Sequence, residues 1–366
     1  MRRIIPDYWK EHLEDKIRRI NSLQGDGSFG FIVITDCHYP RNMGKLSPLI
    51  AKEIAERTNV GFVLCLGDVQ TSGCYDTKEE IIEENKLIDE FLSPVGDRLL
   101  IVEGNHDGSY GWLDRDGNGV FNNDYPDGTV KPPEERESYV NNLNSDEIYQ
   151  SIYEKVSLID GVTFDKGGSH GYYVDDNADK VRFIMLNSHN NKYELREDGT
   201  PRYPKMWYAR FGQSQLDMVV EAIKGIPDDD WSVVVGAHFP LGQGEIADGE
   251  VLAGILNAYK TKTSYSGSVY SVYEQVTVNC DLSDAKGEPV GYFAGHTHVD
   301  RSSTYCGVTV IETTCDTRED IDLSVREKRS AGNVSEQSFD VFTINRKEHR
   351  IYVTRIGSGT DRIIEY

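Results

Sequence analysis

The sequence predicts an α/β (α+β) fold, because short apolar runs alternate with longer amphipathic segments along its first hundred residues. Apolar, β-rich runs predict buried strands, and the charged segments between them predict helices. The expected strands are 29–34, 62–66 and 99–102, and the expected helices are 8–20, 47–58 and 78–92. Functional groups in open α/β sheets lie at the carboxyl ends of strands, so we expect them directly after these runs.

The remainder of the chain carries six more strand candidates. They are 181–187, 231–236, 290–294, 307–313, 338–345 and 350–356, with a helix expected at about 213–224. The last three follow one another with few helical signals between them, so we expect them to form a second, more antiparallel sheet.

We expect residues 1–24 to form an N-terminal helical extension and residues 25–366 to form a single domain with two insertions. The first insertion, at about 108–145, is rich in Gly, Asn, Asp and Pro and shows little periodicity. The second, at about 241–285, contains an expected helix at 247–260. Loops at these places would line the rim of a functional site and set its specificity.

Composition and charge exclude several classes of protein. The 366-residue chain is 38% hydrophobic with a formal net charge of −22, and no apolar run approaches the roughly 20 residues of a membrane helix. The basic N-terminus has no apolar core after it, so we expect no signal peptide and take the cytoplasm as the default location. An acidic chain without a Lys/Arg cluster repels nucleic-acid backbones, so we do not expect extended nucleic acid as a partner. The oligomeric state stays open.

The six cysteines form no C-x-x-C pair. Cys37 and Cys65 lie in or beside apolar runs. We therefore expect buried, reduced thiols rather than a disulfide framework or a cysteine zinc site.

Five short segments with metal-type ligands each follow an apolar run. They are Asp36-Cys37-His38, Gly67-Asp68, Gly104-Asn105-His106-Asp107, Gly236-Ala237-His238 and Gly295-His296-Thr297-His298. A single Asp-x-His or Gly-Asp is usually an ordinary turn, but an expected strand precedes every one of these segments, which argues against coincidence. Together they offer enough oxygen and nitrogen donors for two divalent metals, which indicates hydrolysis of a phosphate ester.

The donors leave the identity of the metals open, since imidazole suits Zn, Fe and Ni while carboxylates also suit Mn and Mg. Two divalent ions roughly 3.5–4 Å apart lower the pKa of a bridging water towards about 7, so that hydroxide attacks the phosphorus and expels an alkoxide. His106 lies beside a ligand without being needed as one, so we expect it to donate the proton to that alkoxide. Asp107 would orient the His106 imidazole or raise its pKa.

A candidate calcium loop lies in the first expected insertion. Asp114-Arg115-Asp116-Gly117-Asn118-Gly119 matches the first six positions of an EF-hand loop. Asp114, Asp116 and Asn118 are its candidate ligands, but the twelfth position is Tyr125 instead of Glu. An acidic turn without a bound ion is the alternative interpretation.

The five segments resemble the motif set of the calcineurin-like metallophosphoesterase superfamily over roughly residues 29–315. That resemblance implies a four-layer αββα sandwich of two mixed β-sheets flanked by helices. It also implies two metal sites, one held by Asp36, His38, Asp68 and His298 and the other by Asp68, Asn105, His238 and His296. His106 takes the place of the residue that contacts the phosphate or acts as the catalytic acid in this family.

The fourth motif of the family is a bare histidine, for which the chain offers two candidates. His189 follows one expected strand and His238 follows another. We prefer His238, because Ala237-His238-Phe239-Pro240 ends a strongly apolar run and has the family's usual surroundings.

At two motifs the chain differs from particular branches of the family, and these differences indicate which branch it resembles more. Purple acid phosphatases carry a Tyr three residues after the bridging Asp, where this chain has Thr71. Protein Ser/Thr phosphatases carry G-D-x-V-D-R-G, and this chain lacks that Arg. The pattern looks more like the phosphodiesterase-type members, so we expect a phosphodiesterase that acts on a small or nucleotide-like substrate. A phosphomonoesterase, a nuclease and a non-catalytic metal-binding module are the alternatives.

Overall fold

Two β-sheets pack against each other in the computed structural model, and helices cover their outer faces. The structure describes residues 4–39, 42, 45–70, 78–108, 143–194, 197, 202–203, 205, 208–317 and 329–366. The described α-helices are α1 (Lys10–Leu23), α2 (Ser47–Arg57), α3 (Lys78–Leu92), α4 (Ser145–Ile148), α5 (Gln213–Lys224) and α6 (Gly249–Thr261).

The described strands number fifteen. They are β1 (Ser28–Ile34), β2 (Val60–Cys65), β3 (Leu99–Ile101), β4 (Thr163–Phe164), β5 (Tyr172–Asp176), β6 (Val181–Met185), β7 (Ser232–Gly236), β8 (Ser264–Ser271), β9 (Glu274–Asp281), β10 (Glu288–Ala294), β11 (Arg301–Tyr305), β12 (Val308–Glu312), β13 (Ser338–Asn345), β14 (Arg350–Gly357) and β15 (Arg362–Glu365).

The first sheet has the strand order β15-β14-β13-β1-β2-β3. Strands β1, β2 and β3 run parallel and alternate with α2 and α3, which confirms the α/β pattern predicted for this part of the chain. Strand β13 pairs antiparallel with the other side of β1, and β14 and β15 extend the sheet antiparallel. The sheet is therefore mixed, and its two halves come from opposite ends of the sequence.

The second sheet has the order β11-β12-β10-β7-β6-β5-β4. Strands β12, β10, β7 and β6 run parallel in its centre, and β11, β5 and β4 are antiparallel at its edges. The expectation that the last three strand candidates form a second, more antiparallel sheet is wrong. Only β12 lies in the second sheet, because β13, buried from Ser338 to Ile344, fills the open side of β1.

The hairpin of β8 and β9 lies apart from both main sheets and packs on the helices. It belongs to the expected insertion at 241–285, where α6 forms close to its predicted bounds. Alternating exposed and buried residues along β9 explain the strand, since only one face of the hairpin contacts the protein.

Two buried clusters form the core. The larger one lies between the sheets and extends to α1, and the other lies between the second sheet, α5 and α6. The layers are thus helix, sheet, sheet and helix, as the family resemblance implies. None of the helices in the described ranges combines the length and apolar character needed to cross a membrane.

The cysteines that the structure describes are free thiols. Cys37, Cys65, Cys280 and Cys315 are buried, as expected, whereas Cys306 is exposed. Cys74 lies outside the described residues.

Candidate metal centre

The predicted ligands lie directly after the strands that carry them, where both sheets end. Asp36 and His38 follow β1, Asp68 follows β2, Asn105 follows β3, His238 follows β7, and His296 and His298 follow β10. Both sheets therefore contribute donors to one place, and the structure brings all of these side chains together.

Asp36, His38 and His298 form a first group of donors, whose ligand atoms lie within 4.8 Å of one another. His298 Nε2 is 3.1 Å from Asp36 Oδ1 and 3.3 Å from His38 Nε2. Two imidazole nitrogens that face each other this closely need a proton or a cation between them. The first group thus has the form of a cation site.

Asp68, His238 and His296 form a second group within the same 4.8 Å limit. Asp68 Oδ2 is 3.1 Å from His238 Nε2. Asn105 Oδ1 lies 2.9 Å from His238 Nε2 and 3.0 Å from His296 Nδ1. The amide oxygen of Asn105 therefore joins this group as a fourth donor.

Five of the predicted ligands have a left-handed backbone. The φ angles are 51° at Asp36, 43° at His38, 50° at Asp68, 67° at His296 and 58° at His298. Residues other than glycine adopt the left-handed backbone region rarely and at a cost in free energy. Residues held in this conformation cluster at functional sites. The backbone strain supports a functional role for these loops.

Two glycines of the predicted motifs permit close approach between the loops. A Cβ atom at Gly104 would lie 2.2 Å from Asp68 Oδ1, and one at Gly295 would lie 2.0 Å from Thr35 Oγ1 and 2.5 Å from Asp36 Oδ2. Any larger residue at either place would push a ligand loop aside.

Hydrogen bonds to main-chain and hydroxyl groups orient the side chains of the predicted ligands. His238 Nδ1 lies 2.7 Å from the Leu66 carbonyl oxygen, which leaves Nε2 to face the other donors. Asp36 Oδ2 accepts hydrogen bonds from Thr35 Oγ1 at 2.7 Å and from the His296 main-chain N–H at 3.1 Å. The other oxygen, Oδ1, is the one that faces His298.

Opposite charges set the protonation states in the centre. Burial acts against ionisation of Asp36, but His298 outweighs it and lowers the pKa of Asp36 to about 2. Burial likewise acts against the charged form of His238, but Asp68 and Asp36 raise its pKa to about 9. Without a cation the carboxylates are therefore ionised and the His238 imidazole carries a proton.

The Asp107 carboxylate connects two of the ligand loops through main-chain amides. It accepts hydrogen bonds of 2.8–2.9 Å from the N–H groups of Asp68, Val69, Gln70 and Gly104. Burial and the nearby Asp68 charge raise its pKa to about 6 despite these bonds. The carboxylate thus holds the Asp68 loop against the Asn105 loop, which the sequence analysis did not anticipate.

The His106 ring lies at the mouth of the centre. Its side chain is 16% exposed, and its Nε2 is 4.0 Å from Asp68 Oδ2. The His106 main-chain N–H donates to Asp68 Oδ1 at 2.8 Å, and the ring centroid is 5.0 Å from that of His38. The imidazole therefore borders both donor groups and remains accessible to a bound molecule.

His189, the rival of His238, lies behind the second group. Its ring centroid is 5.9 Å from that of His238 and 4.8 Å from that of Phe239. The donor groups found among the described residues include His238 and not His189. Nearby, Glu103 and Lys205 form a buried ion pair that no sequence motif indicated.

The candidate calcium ligands Asp114, Asp116 and Asn118 lie outside the described residues. Calcium binding there stays a prediction from ligand spacing.

The donor set fits a pair of divalent cations. Two carboxylates, one amide oxygen and four imidazoles converge in buried surroundings, a mixture that suits several divalent metals. When bound, such cations supply Lewis acidity towards phosphoryl oxygens and lower the pKa of a coordinated water.

Comparisons with known proteins agree with this geometry. Residues 29–300 match the family model described as calcineurin-like phosphoesterase. No curated protein sequence matches the chain. The fold is similar to that of a dimetal phosphatase from Danio rerio, with a TM-score of 0.52, 14% identity, and coverage of 92% of this chain and 99% of that one. A structure of PhoD is also similar, with a TM-score of 0.45, 12% identity, and coverage of 92% of this chain and 68% of that one.

The family match covers every donor of both groups, from Asp36 to His298, and the structural likeness covers nearly the whole fold. The chain belongs to the calcineurin-like phosphoesterase family and is a metal-dependent hydrolase of phosphoesters with a dinuclear metal centre.

Proposed function

We propose that this protein is a phosphodiesterase that acts on a small or nucleotide-like phosphodiester. The observation that carries the proposal is the position of His106 at the mouth of both donor groups, where its partly exposed ring is open to a bound molecule. A diester needs a proton donor for the leaving alkoxide and space for the alcohol that remains on phosphorus.

We assign one cation to Asp36, His38, Asp68 and His298 and the other to Asp68, Asn105, His238 and His296. The position of Asp68 supports its sharing, since its Oδ2 is 3.1 Å from His238 Nε2 in the second group and its charge also acts on His38 in the first group. Asn105 contributes a neutral oxygen, which keeps the second group less negative than a third carboxylate would.

His106 has the role of general acid in this proposal. Its Nε2 lies 4.0 Å from Oδ2 of the shared Asp68 carboxylate, so the ring is beside the place where the phosphoryl group would bind. The proton on Nε2 would pass to the oxygen of the departing alcohol, and cations held by the donor groups would neutralise the charge on the phosphoryl oxygens.

The test measures metal content by mass spectrometry and hydrolysis of bis-p-nitrophenyl phosphate and p-nitrophenyl phosphate on one sample, with and without Mn²⁺. We expect about two metals per chain and faster turnover of the diester. Faster turnover of the monoester would instead make the protein a phosphomonoesterase.

The His106→Ala variant tests whether His106 is the general acid. We expect kcat to fall about 10²–10⁴-fold with the metal content retained. His349→Ala is the matched control, because that imidazole is exposed in the turn between β13 and β14. Equal activity of both variants would remove His106 from the mechanism.

A further inference from the structure

One ring nitrogen of the predicted ligand His296 faces a carboxylate that no motif indicated. His296 Nδ1 lies 3.0 Å from Asn105 Oδ1 in the second donor group, and His296 Nε2 lies 3.3 Å from Glu245 Oε2. The imidazole therefore stands between the donor group and Glu245. Glu245 is outside the five motif segments and lies within the insertion expected at 241–285.

Phe239 packs against the face of the same imidazole. Its ring centroid is 3.8 Å from that of His296, and the two planes are tilted by 34°. The Phe239 side chain is buried, so it cannot move aside without disturbing the packing around it. Phe239 thus fixes the plane of the His296 ring, while Asn105 and Glu245 lie beside its two nitrogens.

The loop that carries Glu245 is tied to the loop that carries His296 through the buried Glu312 carboxylate. Glu312 Oε2 accepts hydrogen bonds from Thr297 Oγ1 at 2.7 Å and from Gln243 Nε2 at 2.8 Å. Thr297 follows His296 directly, and Gln243 precedes Glu245 by two residues. The separation of Glu245 and His296 is therefore set by the fold and is not a chance encounter of surface side chains.

Metal-binding histidines almost always donate their other ring N–H to a carboxylate, a carbonyl oxygen or water. Such a partner fixes the tautomer and the orientation of the ring, and it raises the basicity of the nitrogen that binds the metal. His238 has this arrangement with the Leu66 carbonyl oxygen, which lies 2.7 Å from its Nδ1. Glu245 occupies the corresponding place beside His296, with a carboxylate instead of a carbonyl group.

We propose that Glu245 is a positioning residue for the second cation. Its carboxylate accepts the Nε2–H of His296, which leaves Nδ1 with its lone pair directed at that cation. The inference rests on the assignment of the second cation under the proposed function. It adds to that centre a residue that acts through His296.

The test measures Mn²⁺ binding without substrate, by calorimetric titration of EDTA-treated protein. Glu245→Ala should weaken one of the two binding events about 10–100-fold and leave the other unchanged. Unchanged affinity for both cations would overturn the proposal. Because the Glu245 side chain is 42% exposed, the Tm of metal-free protein should stay the same. A lower Tm with weaker binding of both cations would indicate general destabilisation and would also overturn the proposal.

A double-mutant cycle shows whether Glu245 acts through the His296 imidazole. His296→Asn keeps a donor atom near the position of Nδ1 but has no counterpart of Nε2. In that variant Glu245→Ala should cause no further loss of Mn²⁺ affinity, because the contact is already gone. Losses that add in the double variant would show that Glu245 acts by another route and would contradict the proposal.

Glu288→Ala is the matched control. Glu288 Oε2 also lies near an imidazole, 3.7 Å from His349 Nδ1, and its side chain is 36% exposed. Glu288 begins β10, whereas His296 follows the other end of that strand. The control should bind both cations like the wild type, and an equal loss of affinity in the control would contradict a specific role for Glu245.

The binding measurement separates this inference from the proposed function. If wild-type protein binds two Mn²⁺ ions and hydrolyses no diester, while Glu245→Ala weakens one binding event, the phosphodiesterase proposal fails and the role of Glu245 stands. Unchanged Mn²⁺ affinity in Glu245→Ala alongside diester hydrolysis by the wild type would refute the role of Glu245 alone.

Discussion

Asp107 acts on the metal centre through the main chain rather than through the substrate. Replacing it with Asn exchanges one accepting oxygen for an amide N–H₂ that would face main-chain donors. We expect Asp107→Asn to lower the free energy of unfolding by about 2–4 kcal/mol and to weaken metal binding. Denaturant unfolding and calorimetric titration with Mn²⁺ would measure the two effects.

Asp248→Asn provides the matched control. The Asp248 carboxylate is also buried and accepts from the main-chain N–H groups of Phe211 and Gly212, but it lies at the start of α6. We expect a similar loss of stability with unchanged metal affinity. A loss of metal affinity in both variants would mean that general destabilisation controls metal binding. The hydrogen bonds by which Asp107 connects the two ligand loops would then not be its cause.

The His238 imidazole should couple metal affinity to pH. Its pKa is raised to about 9 in the metal-free centre, so a cation must displace a proton at neutral pH. We expect the association constant for Mn²⁺ to rise about tenfold or more per pH unit between pH 7 and 8. Titration in two buffers of different ionisation enthalpy counts the released protons, and a pH-independent constant would refute the coupling.

The same shift predicts how the metal-free protein responds to pH. Unfolded His238 titrates near its ordinary value of 6.5, and the folded group titrates at about 9. Its contribution to stability is therefore complete below pH 6.5 and is lost as the pH rises to about 9. In EDTA-treated protein we expect the Tm to fall as the pH rises from 6.5 to about 9. The His238→Gln variant should show a smaller fall over the same range.

At the scale of elements, the C-terminal strands hold the last ligand loop in place. Arg355 on β14 is fully buried and contacts Asp340 on β13 and Asp300, which follows His298. Asp300 also pairs with Arg362 on β15. A network of buried and partly exposed charges thus connects the C-terminal strands to the loop that carries His296 and His298.

Arg355→Met should leave the buried Asp340 carboxylate with Arg362 as its remaining ion-pair partner among the described residues. We expect the free energy of unfolding to fall by about 1–3 kcal/mol, because Asp340 loses one of its two charged partners while the Arg362 ion pair remains. Lys347 lies in the turn of the β13–β14 hairpin and forms an exposed ion pair with Asp26. Lys347→Met breaks that pair and should leave Tm unchanged. Equal Tm values for the two variants would show that the buried network does not stabilise the fold.

The sequence predicted some of the strands correctly and missed or misplaced others. Periodicity located β1, β2 and β3 within a few residues, because each is a local apolar run. It assigned β13 and β14 to the wrong sheet, since pairing depends on which strand edge is open in three dimensions. Strand β4 has only two residues, and β11 is polar and largely exposed, so neither forms an apolar run in the sequence.

At the scale of the whole molecule, a group of phenylalanine rings joins the two sheets. Phe31 on β1 lies 5.6 Å from Phe183 on β6 and 5.1 Å from Phe293 on β10. Strands β1 and β10 lead directly to Asp36 and to His296, so this packing sets how the two sets of ligands face each other.

Phe31→Ala should therefore affect both stability and the metal centre. We expect a loss of about 3–5 kcal/mol in the free energy of unfolding, as for other large core deletions. Metal affinity should fall as well, because the sheets lose a contact that fixes their spacing. The exposed Ile363 on β15 serves as control through Ile363→Ala, and loss of metal affinity in both variants would contradict this link.

The amino-acid sequence by itself indicated the donor residues and their order, because each motif is a local pattern of a strand followed by a turn and a ligand. The tertiary structure alone decided which donors share a group. His298 meets His38 across 260 residues of sequence, and no local pattern reports such a distance. Likewise the hydrogen bonds of Asp107 and the C-terminal network of charges exist only in the folded chain, since burial and hydrogen-bond geometry are properties of the tertiary structure.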